Sequence, residues 1–231
     1  MVRIDRVHTG SGDSGETSLV DGSRIDKSNP RIHIVGTLDE VNSIVGAVSM
    51  ETNRLISHHD GGDSSSIQRV KSVVSLALQR IQNELFDLGA ELGCEVQSVP
   101  EYVTLLDAKH SDLLLEEIEA LTKDTPPLSS FILPGGCPPV TFLHVARTVT
   151  RRLERVIVEL ERSQEGSIRP IVLQYINRLS DWFFVLGRWI SHTLGEHEPL
   201  WQPLSGRQSE KGIVETISQM KANDADFDTL D

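Results

Sequence analysis

The densest group of side chains that could do chemistry lies between residues 147 and 155. Arg147, Arg151 and Arg155 are spaced four residues apart, which places them on nearly one face of a helix. Arg152 lies beside them, and Glu154 can orient a neighbouring guanidinium. Guanidinium groups bind phosphate oxygens through paired, charge-assisted hydrogen bonds, so this spacing predicts a polyphosphate-binding face. A solvated helix face with ordinary ion pairs, or a subunit interface, would explain the same spacing equally well.

A second polar group belongs to another helical segment. Asn177 and Asp181 are one turn apart, on the side opposite to an apolar stripe that runs from Val172 to Ile190. Asn is unfavourable inside a helix because its side chain competes for backbone hydrogen bonds. Asn177 in mid-helix therefore indicates a specific task, such as holding a ligand. A buried Asn that bonds across helices is the structural alternative.

The segment from residue 9 to residue 17 is rich in glycine and hydroxyl side chains. Three of its glycines match G-x-G-x-x-G, but no strand pattern precedes them and no helix pattern follows, which excludes a dinucleotide-binding turn. Glu16 stands where a P-loop has its lysine, and its carboxylate would repel phosphate. Converging backbone N–H groups can still hold an anion, with Lys27 to neutralise its charge. A mobile N-terminal tail is the alternative, and spacing alone favours it.

Residues 131–136 form an apolar tripeptide that is stopped by Pro-Gly-Gly. Such a loop is either packed core or an exposed apolar wedge, and core is the ordinary outcome. His58 and His59 lie in a polar stretch without Cys, Asp or Glu at metal-site spacing. We therefore predict no transition metal bound by the protein alone.

Five amphipathic segments must position these groups. Thr37 and Glu40 match a capping box and predict where the first helix begins. No convincing strand pattern interrupts the helical spacing, so we expect an all-α, antiparallel five-helix bundle. The domain boundaries we expect are residues 1–30 for a loop segment, 31–198 for the bundle and 199–231 for a polar tail. The apolar stripes lie within residues 41–55, 74–92, 114–121, 142–160 and 172–190.

Composition narrows the function classes. The 231 residues carry a net charge of −12, which argues against non-specific binding to nucleic acid or to anionic lipid. Two cysteines make neither a disulfide framework nor a cysteine-rich metal site. No apolar run approaches the ~20 residues that cross a membrane, and the charged N-terminus lacks an apolar signal segment. We expect a cytoplasmic enzyme or binding protein with no nucleic-acid or membrane partner.

Taken in order along the chain, six of these segments resemble the PduO-type ATP:cob(I)alamin adenosyltransferases. Each segment is weak alone, but six in the family's order make a specific signal. The matching segments are residues 9–17, 27–31, 36–42, 131–136, 146–155 and 175–181.

The resemblance implies a five-helix bundle that assembles as a homotrimer with active sites between subunits. It implies transfer of the 5′-deoxyadenosyl group from Mg²⁺-bound ATP to reduced cobalamin, with Arg151, Asn177 and Phe131 as the catalytic residues. Phe131 would contact the corrin ring, while Arg147 paired with Asp39 across subunits, together with Asp181, would support the site. The ATP-binding positions it implies are Thr9, Gly10, Ser11, Gly12, Asp13, Gly15, Thr17, Lys27, Arg151, Arg152, Glu154, Arg155 and Asn177.

The chemistry implied by the resemblance explains why no nucleophile and general base pair stands out in the sequence. The cobalt atom is itself the nucleophile, so the protein need supply only position and electrostatics. A reductase and an adenosylcobalamin-dependent acceptor enzyme are the further partners it implies. Two alternatives stay open at this point. One is a non-catalytic helical scaffold or corrinoid carrier, and the other is a different ATP-dependent transferase.

Overall fold

Five long helices form the body of the chain in a computed structural model that describes residues 8, 10–56, 63–206 and 213–227. A short β-hairpin precedes them and a sixth helix follows. The helices are α1 (Pro30–Arg54), α2 (Ser64–Leu92), α3 (Ala108–Lys123), α4 (Pro138–Ser163), α5 (Pro170–Leu194) and α6 (Ile213–Phe227), and the strands are β1 (Glu16–Ser18) and β2 (Arg24–Asp26).

Helix α1 begins about two turns before the capping box that the sequence suggested, and that prediction is wrong. The side chain of Asn29 accepts a hydrogen bond from the backbone N–H of Arg31, and Pro30 occupies the first turn. Thr37 lies inside the helix, where its hydroxyl donates to the carbonyl of His33 at 2.8 Å. Asn followed by Pro is itself a helix-start signal, since Asn caps and Pro suits the first turn.

Each of the other four bundle helices contains its predicted apolar stripe and begins before that stripe, α2 by ten residues. Asp63 and Asp107 cap α2 and α3, and proline opens both α4 and α5. Gly195 ends α5 with φ of 72°, a left-handed conformation that glycine adopts without steric cost.

The helices pack as an antiparallel bundle, which confirms the predicted fold class. Helix α1 packs between α2 and α4, and α5 packs against α4, α3 and α2. Arg31 shows the alternating direction of the helices: at the start of α1 it donates to the carbonyl of Leu92, which ends α2, and to that of Ser167, which follows α4. One continuous apolar core fills the space between the five helices.

Two elements differ from the sequence prediction. Strands β1 and β2 pair antiparallel in the segment expected to be a loop, with Thr17 opposite Ile25. Helix α6 lies within the segment expected to be a polar tail, and its described side chains, from Ile213 to Lys221, are exposed. Within the described ranges, no helix has the combined length and apolar character of a membrane span.

Candidate functional site

The arginine cluster lies along the outer side of α4. Arg151, Arg152 and Arg155 are exposed, while Arg147 and Glu154 are half-buried. The opposite side of the helix carries Leu153 and other apolar residues into the core. The bundle therefore presents four positive charges within about two and a half turns of one helix.

A hydrogen bond across two helices joins the predicted Asn to the arginine cluster. The side-chain amide of Asn177 on α5 donates to Oε1 of Glu154 on α4 at 2.9 Å. Asp181 lies one turn further along α5, and partial burial raises the pKa of its carboxyl group, an effect opposed by the positive charge of Arg151. The structure therefore brings Asn177, Asp181, Glu154 and Arg151 into one polar surface.

The four arginines have different partners. Arg152 forms an ion pair with Glu40 of α1, a residue that the sequence reasoning missed as a partner. Arg155 donates to the carbonyl of Arg151 at 3.0 Å, one turn back along α4. The Arg151 guanidinium makes no ion pair or hydrogen bond within the part of the chain that the structure describes. It is therefore available to an anionic ligand.

Arg147 is held by an aromatic ring. Its guanidinium carbon lies 6.0 Å from the ring centre of Phe184, a cation–π distance. Burial and the charge of Arg151 lower the pKa of Arg147, and its Nε atom is buried without a hydrogen-bond partner among the described residues. Asp39 lies exposed on α1 and makes no ion pair with Arg147 within this one chain.

The glycine-rich segment forms a compact turn ahead of β1. Gly10 and Gly15 have φ of 70° and 91°, left-handed values that favour glycine. The N–H of Asp13 donates to the carbonyl of Gly10 at 3.3 Å. The residues of this segment that the sequence marked for ATP are described from Gly10 to Thr17, and Thr9 lies outside the described residues.

Two basic side chains fold against this turn. Lys27 Nζ donates to the carbonyl of Gly12 at 2.7 Å, so the predicted lysine does lie beside the glycine-rich segment. Arg24 donates to the carbonyl of Ser11 at 2.8 Å and pairs with Glu16 at 3.4 Å. The sequence analysis did not identify Arg24. It lies on β2 directly opposite Ser18, two residues from Asp26 and on the same face of the strand.

Phe131 is not packed into the core. Its side chain is 78 % exposed, so the loop that carries it presents an apolar wedge to solvent. Its ring contacts Trp201 edge to face, with ring centres 6.1 Å apart. Trp201 is an aromatic neighbour that the helical pattern of the sequence did not reveal.

The three groups lie at different positions along the bundle. Phe131 lies at the end where α4 begins, and the hairpin lies near the end of α2, since the N–H of Val20 donates to the carbonyl of Gly93. Arg151 lies between these ends, about 20 Å along α4 from Pro138. The hydrogen bonds of Arg24 and Lys27 are made within the hairpin segment, whereas Arg152 of the arginine cluster pairs with Glu40 of α1. An open hollow of roughly 700 Å³ runs along α4 beside Glu154, Arg155 and Arg162.

The described residues hold no group of three or more His, Cys, Asp or Glu side chains arranged to bind a metal ion. A divalent cation at this site would need most of its oxygen ligands from a bound phosphate chain. Glu154 is one carboxylate of this surface, and its Oε1 accepts the hydrogen bond from Asn177.

Comparison with known proteins gives a consistent result. The family model described as cobalamin adenosyltransferase matches residues 7–190. A cobalamin adenosyltransferase from Cupriavidus metallidurans is 38 % identical over 200 residues, covering 87 % of this chain and 96 % of the relative. A corrinoid adenosyltransferase from Bacillus subtilis is 37 % identical over 190 residues, covering 82 % and 89 %.

Solved structures agree with these relatives. A variant PduO-type ATP:corrinoid adenosyltransferase from Lactobacillus reuteri, complexed with cobalamin and ATP, superposes with a TM-score of 0.73 at 34 % identity. That match covers 86 % of this chain and 100 % of the other. Another variant of the same enzyme, complexed with ATP, has a TM-score of 0.70. Sequence and fold together place this chain in the cobalamin adenosyltransferase family.

Proposed function

We propose that this chain transfers the 5′-deoxyadenosyl group of ATP to reduced cobalamin, with α4 and α5 holding the triphosphate. The observation that supports this most directly is the Asn177–Glu154 hydrogen bond beside the Arg151 guanidinium, which makes no ion pair or hydrogen bond among the described residues. A fixed polar surface with an unpaired arginine suits a ligand that brings several negative charges.

The transfer needs no protein nucleophile. Reduced Co(I) donates an electron pair to C5′ of ATP and forms the Co–C bond. The C5′–O bond breaks, triphosphate leaves with that bond's electron pair, and cobalt ends two electrons more oxidised. Negative charge therefore grows on the leaving triphosphate, where Arg151, Arg155 and the backbone of the glycine-rich turn stabilise it.

Mg²⁺ supplies further charge neutralisation on the triphosphate. Because the described residues contain no metal-binding group of their own, phosphate oxygens hold this ion, with at most one or two protein oxygens. Removing the divalent cation with a chelator should stop the transfer while cobalamin still binds.

Phe131 acts at the corrin end of the site. Its exposed ring can occupy the lower face of the macrocycle and exclude an axial ligand there. Loss of that ligand makes Co(II) easier to reduce to Co(I). The electron for this reduction comes from a reductase partner. The product, adenosylcobalamin, passes to an adenosylcobalamin-dependent acceptor enzyme. We propose the cytoplasm as the compartment, since it supplies ATP.

The active site is shared between copies of the chain in a homotrimer. The glycine-rich turn with Lys27 and the arginine cluster lie apart in one copy, and a neighbour's turn can complete the cluster. The carboxylate of Asp39 is exposed, and the half-buried guanidinium of Arg147 makes no ion pair among the described residues, so the two can pair across copies.

The activity is tested by the absorption spectrum of chemically reduced cobalamin after addition of protein and Mg-ATP. We expect conversion to light-sensitive adenosylcobalamin with one triphosphate released per cobalt. Nucleotide binding without conversion would mean a different ATP-dependent transferase. The absence of both binding and conversion would mean a non-catalytic scaffold.

The shared site is tested by mixing two variants of low activity, Lys27→Ala and Arg151→Ala, after dissociation and reassembly. If Lys27 and Arg151 come from different copies, random assembly makes about one site in four fully intact, and about a quarter of wild-type activity returns. A site contained within one copy would give no recovery. Each variant reassembled alone is the control.

A further inference from the structure

We propose that Trp201 is a second aromatic wall of the corrin site and a positioning residue for Phe131. This inference deepens the proposed function and rests on it. It assigns a task to a side chain outside the helical bundle, in the segment that follows α5.

The first observation is that the backbone around Trp201 is bonded to the loop of Phe131. The N–H of Trp201 donates to the carbonyl of Phe131 at 2.6 Å, and the N–H of Leu133 donates to the carbonyl of Pro199 at 2.7 Å. These bonds make a short antiparallel bridge between Ile132 and Leu200. We call residues 199–201 the strap, because they bind the Phe131 loop along its length.

The strap is anchored to the bundle. The guanidinium of Arg188 on α5 pairs with Glu198 at 3.2 Å and donates to the carbonyl of Pro126 at 2.8 Å. Arg188 is buried, so this anchor is shielded from water. Glu196 accepts a hydrogen bond from the N–H of Cys137, which holds the start of α4 to the same segment. The position of Trp201 is therefore set from both sides.

The second observation is the exposure of the two rings. An isolated Phe ring on a loop gains free energy by folding back onto apolar surface. Phe131 instead stays exposed, and its described ring contact is the edge-to-face contact with Trp201, which is itself 43 % exposed. An edge-to-face contact is favourable beyond the area that it buries, so it biases the orientation of a surface ring. The other two tryptophans, Trp182 and Trp189, are buried in the bundle.

The third observation is the apolar character of the surface around the two rings. Two leucines close in sequence to these rings are also exposed. Leu133 lies on the Phe131 loop, and Leu204 lies just after the strap. A flat macrocycle with an apolar rim matches two aromatic rings set at an interplanar angle of 70°, since one ring can face the macrocycle while the other meets its edge. We assign the pair to the corrinoid. Adenine is also a flat ring, and the comparison of cobalamin and ATP affinities below distinguishes the two ligands.

Loss of the Trp201 ring should weaken corrinoid handling selectively. In Trp201→Ala the KM for cobalamin should rise about tenfold, equivalent to about 1.4 kcal/mol. Reaction that starts from Co(II) with a reductant should fall further than reaction that starts from chemically reduced Co(I), because Phe131 loses its support. The KM for ATP should stay within about twofold. Trp201→Phe keeps a ring and should restore most of the cobalamin affinity.

The tests use the full-length protein once the wild type has been shown to form adenosylcobalamin. A wild type without that activity removes the proposed function itself, before any variant is made. The matched control is Leu76→Ala, because Leu76 is an exposed apolar residue on α2, an element that carries neither the loop nor the strap. Its KM values should equal those of the wild type.

A second measurement does not depend on the variants folding well. Iodide quenches the fluorescence of exposed tryptophan, and Trp201 is far more exposed than Trp182 or Trp189. Cobalamin should lower the iodide quenching constant of the wild type at least threefold, and Trp201→Phe should lack this protected component. Unchanged iodide access in the complex, or equal losses of cobalamin and ATP affinity in Trp201→Ala, would overturn the assignment.

Discussion

Arg151→Ala removes an exposed guanidinium from the middle of the arginine cluster while leaving the helix that carries it unchanged. Its charge acts on Asp181 across the α4–α5 contact, yet its side chain makes no ion pair or hydrogen bond among the described residues. The variant therefore loses no ion pair or hydrogen bond among the described residues. A loss of activity in this variant therefore reports the ligand and not the fold.

The size of the effect follows from the kind of contact that is lost. A hydrogen bond from a charged group contributes about 1.5–3 kcal/mol, and exposure of Arg151 favours the lower part of that range. Since about 1.4 kcal/mol corresponds to tenfold, kcat/KM for ATP should fall about 10- to 100-fold. Arg151→Lys keeps the charge but loses the planar fork, so it should fall between wild type and Arg151→Ala.

The assay is steady-state formation of adenosylcobalamin from chemically reduced cobalamin, with ATP varied. Arg54→Ala is the control, because Arg54 is an exposed arginine near the end of α1 that pairs only with Glu51 among the described residues. It should stay within about twofold of wild type. A loss below about threefold for Arg151→Ala, or the same loss for Arg54→Ala, would refute a triphosphate contact at this position.

Three further predictions test other parts of the molecule. Tyr175→Phe removes the 2.6 Å hydrogen bond from the fully buried hydroxyl to Glu84. It should lower the free energy of unfolding in urea by about 1.5–3 kcal/mol, whereas Tyr102→Phe, at an exposed site, should lower it little. Burial raises the pKa of Asp181, so its contribution to stability is fully present below the unfolded pKa of about 3.9 and is lost as pH rises through the folded pKa. Asp181→Asn should therefore be more stable relative to wild type at pH 7 than at pH 3 in thermal unfolding. Phe131→Ala should slow the reaction from Co(II) more than that from Co(I) and leave the KM for ATP unchanged; equal losses for both substrates would remove its assigned role.

The helices could be predicted from sequence because each has a long apolar stripe and a local start signal. Proline at the start of α4 and α5 and Gly93 after α2 mark boundaries that depend only on neighbouring residues. The start of α1 was mispredicted because Thr37 and Glu40 match a capping box by spacing alone. In the folded chain Thr37 bonds back to His33 inside the helix, and Asn29 is the cap.

Only some of the site residues could be predicted from the sequence, and the reason differs from that for the helices. Arg151 and Asn177 stand out because their spacing or residue type is unusual for a helix. Arg24, Glu40 and Trp201 act through partners that are distant in sequence or on another element, so no local pattern marks them. The hairpin was missed because its strands are three residues each and largely polar.

The unsatisfied polar atoms of the bundle argue for a site completed by a second copy. Within the described ranges, the buried side-chain atoms without a hydrogen-bond partner are Oδ1 of Asn42, Nδ1 of His144 and Nε of Arg147. Leaving such an atom unpaired costs about 1–3 kcal/mol, so three in one bundle are unfavourable for an isolated chain.

All three atoms lie on α1 and α4, the helices that carry Asp39 and the arginine cluster. Burial and the charge of Arg147 lower the pKa of His144, which keeps its ring neutral beside that arginine. Among the described residues Arg147 contacts the ring of Phe184 and makes no ion pair, so a carboxylate of another copy could pair with its charge. An arginine retained in such a place is better explained by pairing on assembly than by the stability of one copy. Pairing of Arg147 on assembly would place the contact that completes the oligomer on α4, the helix that holds the triphosphate.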